Sequence, residues 1–452
     1  DCRHSLSRVP SSSLIDMKIS VIGCGYLGAV HAVAMASLGH NVVGIDSNLT
    51  KISSLSSGQP TILEPGFEGL LREGLDSGRL AFSADPEAAG GARVHFIGVG
   101  TPQKPDSHAA DLAFLDDAVD SLLPRLHEGD VVVGKSTVPV GTAATLEPRI
   151  RRAGACLVWN PEFLREGSAV RDTLEPDRLV YGLSCEEADA RAGRDALDEC
   201  YAALIAAGVP RLTMDFATAE LVKVAANSFL ATKISFINAM SQACDATGAD
   251  VALLARALGF DERIGHRFLR AGIGFGGGCL PKDIRALRAR AEELDLHEAF
   301  EFLAEVERIN DGQRARTVEV LEGLTGGLEG RRVAVLGATF KPDTDDIRSS
   351  PALSIASALV ERGARVTIAD PAASAEAVAA EVEGAAFFAD VEAAVAGAEA
   401  VLLCTEWEQY VRLDPARIGE LVSERVVVDG RNALDPDAWK RAGWTYRGVG
   451  RR

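Results

Sequence analysis

Residues 17–28 read Met-Lys-Ile-Ser-Val-Ile-Gly-Cys-Gly-Tyr-Leu-Gly. Lys18–Ile22 has the length and composition of a buried strand. Gly23, Gly25 and Gly28 follow it in GxGxxG spacing, and Ala29–Leu38 then carries helical periodicity. Glycines at such a turn let a pyrophosphate approach the N–H groups of a helix N-terminus. The next strand, Val42–Ile45, leads to Asp46, eighteen residues after Gly28. A carboxylate there accepts hydrogen bonds from ribose hydroxyls and repels a 2′-phosphate, which favours NAD over NADP. GxGxxG alone is a weak signal. Strand, turn, helix and acid in this order argue for a dinucleotide site over a glycine turn beside a surface aspartate.

Further along, Val94–Val99, Val131–Val133 and Leu157–Trp159 read as strands, with a helical stretch at Asp111–Leu126. The alternation predicts a parallel sheet with helices on both faces, running to about residue 212. From Asp215 to Asp311 strand signals stop. A helix over Phe216–Thr247 would be about 48 Å long, more than one small domain needs. It is expected to form a spine that pairs with a second copy. After Gly326–Gly327, strands are expected at Arg332–Leu336, Val366–Ala369, Val401–Cys404 and Val426–Asp429, without a GxGxxG. The predicted fold is α/β: two Rossmann-like parallel-sheet domains joined by a long helix in a helical, dimerising middle domain. The expected boundaries are 17–212, 213–312 and 313–452, with a ligand cleft between the two lobes.

Composition bounds the function. Of 452 residues, 47% are apolar and 25% charged, the balance of a soluble globular protein. With 47 Lys+Arg against 65 Asp+Glu the net charge is −18, which argues against a nucleic-acid partner. No stretch has the apolar length of a membrane span. The eight cysteines include no CxxC pair, so free thiols in a reducing cytoplasm are expected, with no zinc or other metal site. Asp1–Asp16 is Ser-rich without a signal-peptide core, and Met17 reads as the natural start.

Several segments carry chemistry. Val99-Gly100-Thr101-Pro102 and Ser136-Thr137-Val138-Pro139 follow strands of the same sheet, at the carboxyl ends that face a cofactor, and read either as contacts to NAD or substrate or as plain turns. In Asn160-Pro161-Glu162-Phe163-Leu164-Arg165-Glu166-Gly167, Glu162 and Glu166 would share one face of a helical turn. They read as acid/base groups, as ligands for sugar hydroxyls, or as a solvated helix start. Lys223 and Asn227, four apart on the spine, sit among apolar neighbours. The lysine either aims its charge at an oxyanion or reaches out to solvent. Gly272-Ile273-Gly274-Phe275-Gly276-Gly277-Gly278-Cys279-Leu280-Pro281-Lys282-Asp283 has five glycines for close approach to an anionic or sugar ligand. It leads into a helix expected at Lys282–Glu293, so Cys279 sits where a helix dipole favours thiolate, with Asp283 four residues on. The alternative is a buried, inert thiol. His31 reads as helix packing.

Together these segments resemble the UDP-glucose/GDP-mannose dehydrogenase family of nucleotide-sugar dehydrogenases, on its UDP-glucose branch. The resemblance runs from Met17 to the last strand and includes GCGYLG, VGTP, KSTVPVGT, NPEFLREGSAVRDTLEPDRLVYG, ELVKVAANSF, DERIG, GFGGGCLPKD, FKPDTDDIRSS, CTEW and DGRN. Gly278 departs from the family's frequent Ser, and Gly100 from its Asn or Pro. The resemblance implies NAD-dependent four-electron oxidation of the C6 alcohol of UDP-glucose to UDP-glucuronate, using two NAD and one water. GDP-mannose or a UDP-N-acetyl-hexosamine is the alternative substrate. It implies that Cys279 is the nucleophile, Lys223 stabilises oxyanions, Asp283 and Glu162 move protons, and Thr137 and Asn227 position water and substrate. It places Gly23, Gly25, Tyr26, Leu27, Gly28, Asp46, Lys51, Thr101, Thr137, Glu166 and Arg348 at NAD. It places Glu162, Phe163, Leu164, Lys223, Asn227, Phe275, Gly276, Phe340, Lys341 and Arg431 at the nucleotide sugar, with Arg263 reaching it from a partner subunit.

Overall fold

The computed structural model describes residues 16–451, so the expectation for the segment before Met17 lies, but for Asp16, outside the described residues. The chain divides at Ala225–Ala226 into two compact units, each built on one sheet. In the first, the strands are β1 (Lys18–Ile22), β2 (Asn41–Ile45), β3 (Leu80–Ser83), β4 (Val94–Ile97), β5 (Val131–Gly134), β6 (Cys156–Trp159), β7 (Leu179–Leu183) and β8 (Arg211–Asp215). They lie in the order β3-β2-β1-β4-β5-β6-β7-β8. All neighbours pair in parallel except β6 and β7, which meet antiparallel at Trp159 and Gly182. The expected parallel sheet therefore holds for six strands, and β7 and β8 run the other way.

β1, β4, β5 and β6 are almost wholly buried, as strands covered on both faces must be. The helix Tyr26–Ser37 covers one face with a continuous buried run from Gly28 to Ala36. His31 lies in that run, its ring 4.3 Å from that of Phe96, and burial holds its imidazole well below its ordinary range. The expected helix at Asp111–Leu126 is shorter, an α-helix at Ala113–Leu122 and then a 3₁₀ turn at Leu123–Arg125, because Pro124 cannot continue an α-helical ladder.

The spine helix spans Phe216–Thr247, the bounds expected for it. Asp215 caps its start: Oδ1 accepts the Thr218 N–H at 2.8 Å and Oδ2 the Thr218 hydroxyl at 2.9 Å. These bonds hold the Asp215 carboxyl below its ordinary range. Past Thr247, Gly248 takes φ +79°, and the N–H groups of Gly248 and Ala249 both donate to the Cys244 carbonyl, a glycine C-cap. Helices Val251–Gly259, Leu280–Glu293 and Phe302–Thr325 follow, the last running through residue 312.

The second sheet comprises β9 (Arg332–Leu336), β10 (Arg365–Ala369), β11 (Ala386–Phe388), β12 (Ala400–Leu403), β13 (Val426–Asp429) and β14 (Thr445–Gly448). Its order is β11-β10-β9-β12-β13-β14, all parallel. Both units thus repeat the 3-2-1-4-5-6 strand order whose chain reversal places a crevice beyond the carboxyl ends of the central strands.

One strand glycine is set by a tryptophan. A Cβ on Gly134, the last residue of β5, would lie 2.2 Å from Cζ3 of the buried Trp159 ring. Gly134→Ala is expected to destabilise this unit by about 1–3 kcal/mol through overpacking. A thermal melt checks this, and an unchanged midpoint contradicts it.

Candidate functional site

The site residues fall into two groups, one on each unit. In the first, the three glycines after β1 play different parts. A Cβ at Gly28 would lie 1.8 Å from the Gly23 carbonyl oxygen, and one at Gly23, where φ is +88°, would lie 2.7 Å from Cγ1 of Val99. A Cβ at Gly25 would meet nothing within 4 Å. Gly23 and Gly28 are therefore required by packing, while Gly25, at the N-cap of Tyr26–Ser37, is left for a ligand to approach. Asp46 lies directly beyond β2, its Oδ2 accepting the Cys24 N–H at 2.9 Å and Lys51 Nζ at 2.7 Å, its Oδ1 the Asn48 N–H at 2.9 Å. A carboxylate has about four acceptor positions, so Asp46 retains capacity for a ribose hydroxyl. An open glycine at a helix N-terminus with an acid beside it fits the pyrophosphate and ribose of NAD.

Tyr26 follows that open glycine. Its hydroxyl donates to Glu64, and the Gly167 N–H donates to Tyr26 Oη at 3.0 Å and to Glu64 Oε2 at 2.7 Å. Burial and the Glu64 bond push the phenol far up. Tyr26 thus ties the glycine turn to the segment carrying Glu166. Leu27 follows it in the first turn of the same helix.

Residues 161–165 form no helix, so Glu162 and Glu166 do not share a helical face. Instead, Glu162 Oε1 folds back to accept the Phe163 and Leu164 N–H groups at 2.6 and 2.8 Å. Its Oε2 lies 3.2 Å from Nζ of Lys135, which is buried and also donates to Asn160 Oδ1 at 3.0 Å. Leu164 packs on the apolar core. The Phe163 ring has the Arg178 guanidinium 4.0 Å and Lys223 Nζ 5.6 Å from its centroid. Lys223 is only 8% exposed, so it does not reach out to solvent. Thr101 Oγ1 donates to the Thr137 carbonyl at 2.6 Å, which joins the two Thr-Pro and Val-Pro loops.

In the second unit, Cys279 is exposed and is the N-cap of Leu280–Glu293, with Pro281 in the first turn. The Asp283 N–H donates to the Cys279 carbonyl at 2.9 Å. The Asp283 carboxylate is buried, its Oδ2 accepting Asn227 Nδ2 at 2.6 Å and its Oδ1 2.7 Å from Lys282 Nζ. Cys279, Asp283 and Asn227 therefore form one constellation.

The glycine run before Cys279 is closely packed. Its glycines admit neighbouring protein. A Cβ at Gly276 would lie 2.2 Å from the Ser349 carbonyl oxygen, at Gly277 2.8 Å from the Phe340 ring, and at Gly274 2.7 Å from Asn310 Oδ1. At Gly278 it would lie 2.6 Å from Cζ of Arg348, so the guanidinium takes the room that a side chain there would need. Arg348 is held by Asp346. Phe275 is buried, its N–H donating to Asn310 Oδ1 at 2.7 Å. Arg431 donates to the carbonyls of Cys404, Gly274 and Phe340 at 2.5, 3.1 and 3.1 Å and so pins the run to the second sheet. Lys341 Nζ lies 5.3 Å from the Phe340 ring centroid. Arg263 is exposed and paired with Asp261.

Sequence reasoning missed Lys135, Glu64, Arg178 and Glu220. Lys135 had a usable signal, a cation directly after the apolar run Val131–Gly134 and next to Ser136-Thr137. Glu64 had none, since its partners lie 38 and more than 100 residues away.

These features define an NAD-dependent oxidoreductase with a cysteine beside a second, nucleotide-type fold. Comparison gives the family. The NAD binding, central and UDP binding domain models of the UDP-glucose/GDP-mannose dehydrogenase family match residues 17–205, 217–312 and 334–436. A UDP-glucose 6-dehydrogenase of Rhizobium meliloti (strain 1021) is 41% identical, over 96% of this chain and 100% of the relative. The structure of a UDP-glucose dehydrogenase from the hyperthermophilic archaeon Pyrobaculum islandicum superposes with TM-score 0.87 at 39% identity, covering 98% of this chain and 100% of that one. A UDP-D-ManNAc dehydrogenase from Pyrococcus horikoshii gives TM-score 0.84 at 26% identity, covering 96% and 99%. The chain belongs to the UDP-glucose/GDP-mannose dehydrogenase family.

Among the described cysteines, Cys279 and Cys185 are exposed. Burial pushes the thiols of Cys24, Cys200 and Cys404 up to about 12 and that of Cys156 to about 11, and raises that of Cys244. Since the thiolate is the reactive form, brief alkylation of the folded protein near pH 7 should label Cys279 and Cys185 and spare these five. Peptide mass mapping reads the result. Early labelling of any of the five contradicts the assignment.

Proposed function

We propose that the chain oxidises UDP-glucose to UDP-glucuronate through a covalent intermediate on Cys279. The observation that carries this reading is the exposed Cys279 at a helix N-terminus, one turn before a buried Asp283 held by Asn227. The substrate reading is supported by the names of eight relatives at 37–41% identity over nearly full length, each a UDP-glucose 6-dehydrogenase.

NAD, when bound, accepts a hydride at each of two oxidation steps. The first leaves an aldehyde at C6, with the hydroxyl proton released. The Cys279 thiolate adds to the carbonyl carbon, forming a C–S bond and a thiohemiacetal. The second oxidation yields a thioester. Water adds to it, the C–S bond breaks, and the carboxylate leaves with the thiolate restored. Thiolates suit this role because they are strong nucleophiles near neutral pH.

Lys223, buried against the Phe163 ring, supplies positive charge for the oxyanions. Asp283 takes the alcohol proton and assists the water. Glu162, its carboxylate oriented by Lys135 and two backbone N–H groups, acts as acid/base in hydrolysis. Thr137 positions the water and Asn227 the sugar. Glu166 and Arg348 belong at NAD, and Phe340, Lys341 and Arg431 at the nucleotide sugar.

The same chemistry on a UDP-N-acetyl-hexosamine or GDP-mannose is the second reading, favoured by the likeness to the UDP-D-ManNAc dehydrogenase. The domains proposed are 17–212 for NAD, 213–312 as the helical middle and 313–452 for the nucleotide sugar, in a cytoplasmic protein. Among the described residues no helix is long and apolar enough to cross a membrane. Phe229 and Phe236, seven apart on the spine helix, and Leu253 and Phe260 beyond it are exposed. We assign them to a homodimer interface that brings Arg263 to a partner's substrate. Sedimentation equilibrium should give twice the chain mass, and a monomer at assay concentration contradicts this.

Purified protein with NAD and each of UDP-glucose, UDP-N-acetylmannosamine and GDP-mannose tests the reaction. Two NADH per UDP-glucuronate are expected, with turnover lost in Cys279→Ser. One NADH per sugar, or a full-rate serine variant, contradicts the covalent route, and preference for another sugar overturns the substrate.

A further inference from the structure

We propose that Glu220 is a positioning residue whose carboxylate couples the loop carrying Thr137 to the helix carrying Lys223. The proposal rests on the reading that Lys223 and Thr137 take part in the reaction. Glu220 is 2% exposed, with both carboxylate oxygens engaged: Oε2 accepts the Gly141 N–H and Oε1 the Ala143 N–H, each at 2.7 Å. Gly141 is the N-cap of the helix Thr142–Arg152, so the charge sits where the helix dipole favours an anion. Two charge-assisted bonds at one end make a stiff joint.

The loop gripped in this way is short. It runs from the end of β5 to Gly141 and is bound at its other end by the next loop of the sheet. Ser136 Oγ donates to the Val99 carbonyl at 2.7 Å, and Thr101 Oγ1 donates to that of Thr137 at 2.6 Å. Pro139 stiffens the middle, and its carbonyl accepts the Thr142 hydroxyl at 2.6 Å. Thr137 is thus held between the Val99–Thr101 loop and Glu220.

Lys223 lies three residues after Glu220, on the same side of the helix. Rotation or sliding of that helix would carry Lys223 Nζ away from its place by the Phe163 ring. Glu220 therefore sets the placement of two reacting groups through one carboxylate. The helix start has other anchors, since a Cβ at Gly182 would lie 2.6 Å from the Ala219 Cβ and 3.3 Å from the Phe216 Cα, and Asp215 caps it. Loss of the Glu220 bonds should thus disturb the site while leaving the fold.

The test is a double-mutant cycle with Glu220→Gln and Lys223→Ala, measured by NADH formation and product mass. Gln keeps the shape but loses the charge and presents an amide N–H to a donor. Misplacement of about 1 Å costs on the order of 100-fold, so Glu220→Gln should lower kcat about 10- to 100-fold. KM for the sugar and the NAD dissociation constant should stay within about twofold, and in the Lys223→Ala background the same change should cost clearly less than in the unaltered protein, the remainder being the misplacement of Thr137. A full multiplicative loss in that background overturns the coupling while leaving the role of Lys223 intact. Full turnover of Lys223→Ala overturns the reading of Lys223 and the coupling with it. Glu220→Asp keeps the charge with a shorter reach and takes the place of Gln in the cycle if Gln does not fold. Loss of the melting transition in both variants makes Glu220 a residue of the fold and overturns the proposal.

Discussion

The carbonyl oxygen of Gly23 lies where a Cβ on residue 28 would have to be. That contact lets the helix Tyr26–Ser37 sit close on β1, and the position of the open Gly25 at its N-terminus follows from it. The same close approach brings Cys24 to Asp46, so turn and acid form one unit before any ligand arrives. The second sheet applies a related constraint to a different end. Gly337 follows β9 with φ +108° against Thr405, and Asp370 follows β10 much as Asp46 follows β2. Asp370, however, accepts from the N–H groups of Ala338, Thr339, Ala372 and Ala373, the Thr339 hydroxyl and the Trp407 indole. With six donors it has no acceptor left for a ribose. Two sheets of one strand order thus offer one dinucleotide turn.

A protein of net charge −18 that takes NAD, itself a diphosphate, needs its cations placed individually. Lys135 and Lys223 are buried, one against Glu162 and the other by Phe163, while Arg431 is spent on three backbone carbonyls. Arg431 therefore serves first to hold the glycine run, and through it the approach to Cys279. The acids are treated in the same way. Glu64, Asp283 and Glu220 are buried with named donors, so each fixes a neighbour as well as carrying charge. Rigid surroundings of this kind are what catalytic groups require.

Much of this was legible from local pattern. The strand Lys18–Ile22 and helix Phe216–Thr247 have the bounds that their apolar spacing implied, and Cys279 stands at the helix start that Pro281 announced. β3, β8, β11 and β14 were missed because edge strands of three to five residues such as Ala386–Phe388 carry little periodicity, and the interior strand β7 (Leu179–Leu183) was missed with them. The antiparallel turn of β7 depends on which strand it meets, which no local window records. The glycine run is ambiguous in sequence for another reason. A glycine needed for a ligand and one needed for Phe340 or Ser349 look alike in sequence, and only the neighbours distinguish them. Buried carboxylates such as Glu64 were invisible because their partners are distant in the chain.

In the proposed reaction Cys279 carries the sugar during oxidation. Acid quenching of the protein during turnover with NAD and UDP-glucose, followed by peptide mass analysis, tests it most directly. A transient acyl adduct of the UDP-sugar is expected on the peptide containing Cys279, formed with the first turnover and absent once substrate is exhausted. Turnover with no adduct under conditions where hydrolysis is slowed, or an adduct on Cys185 in its place, would contradict it.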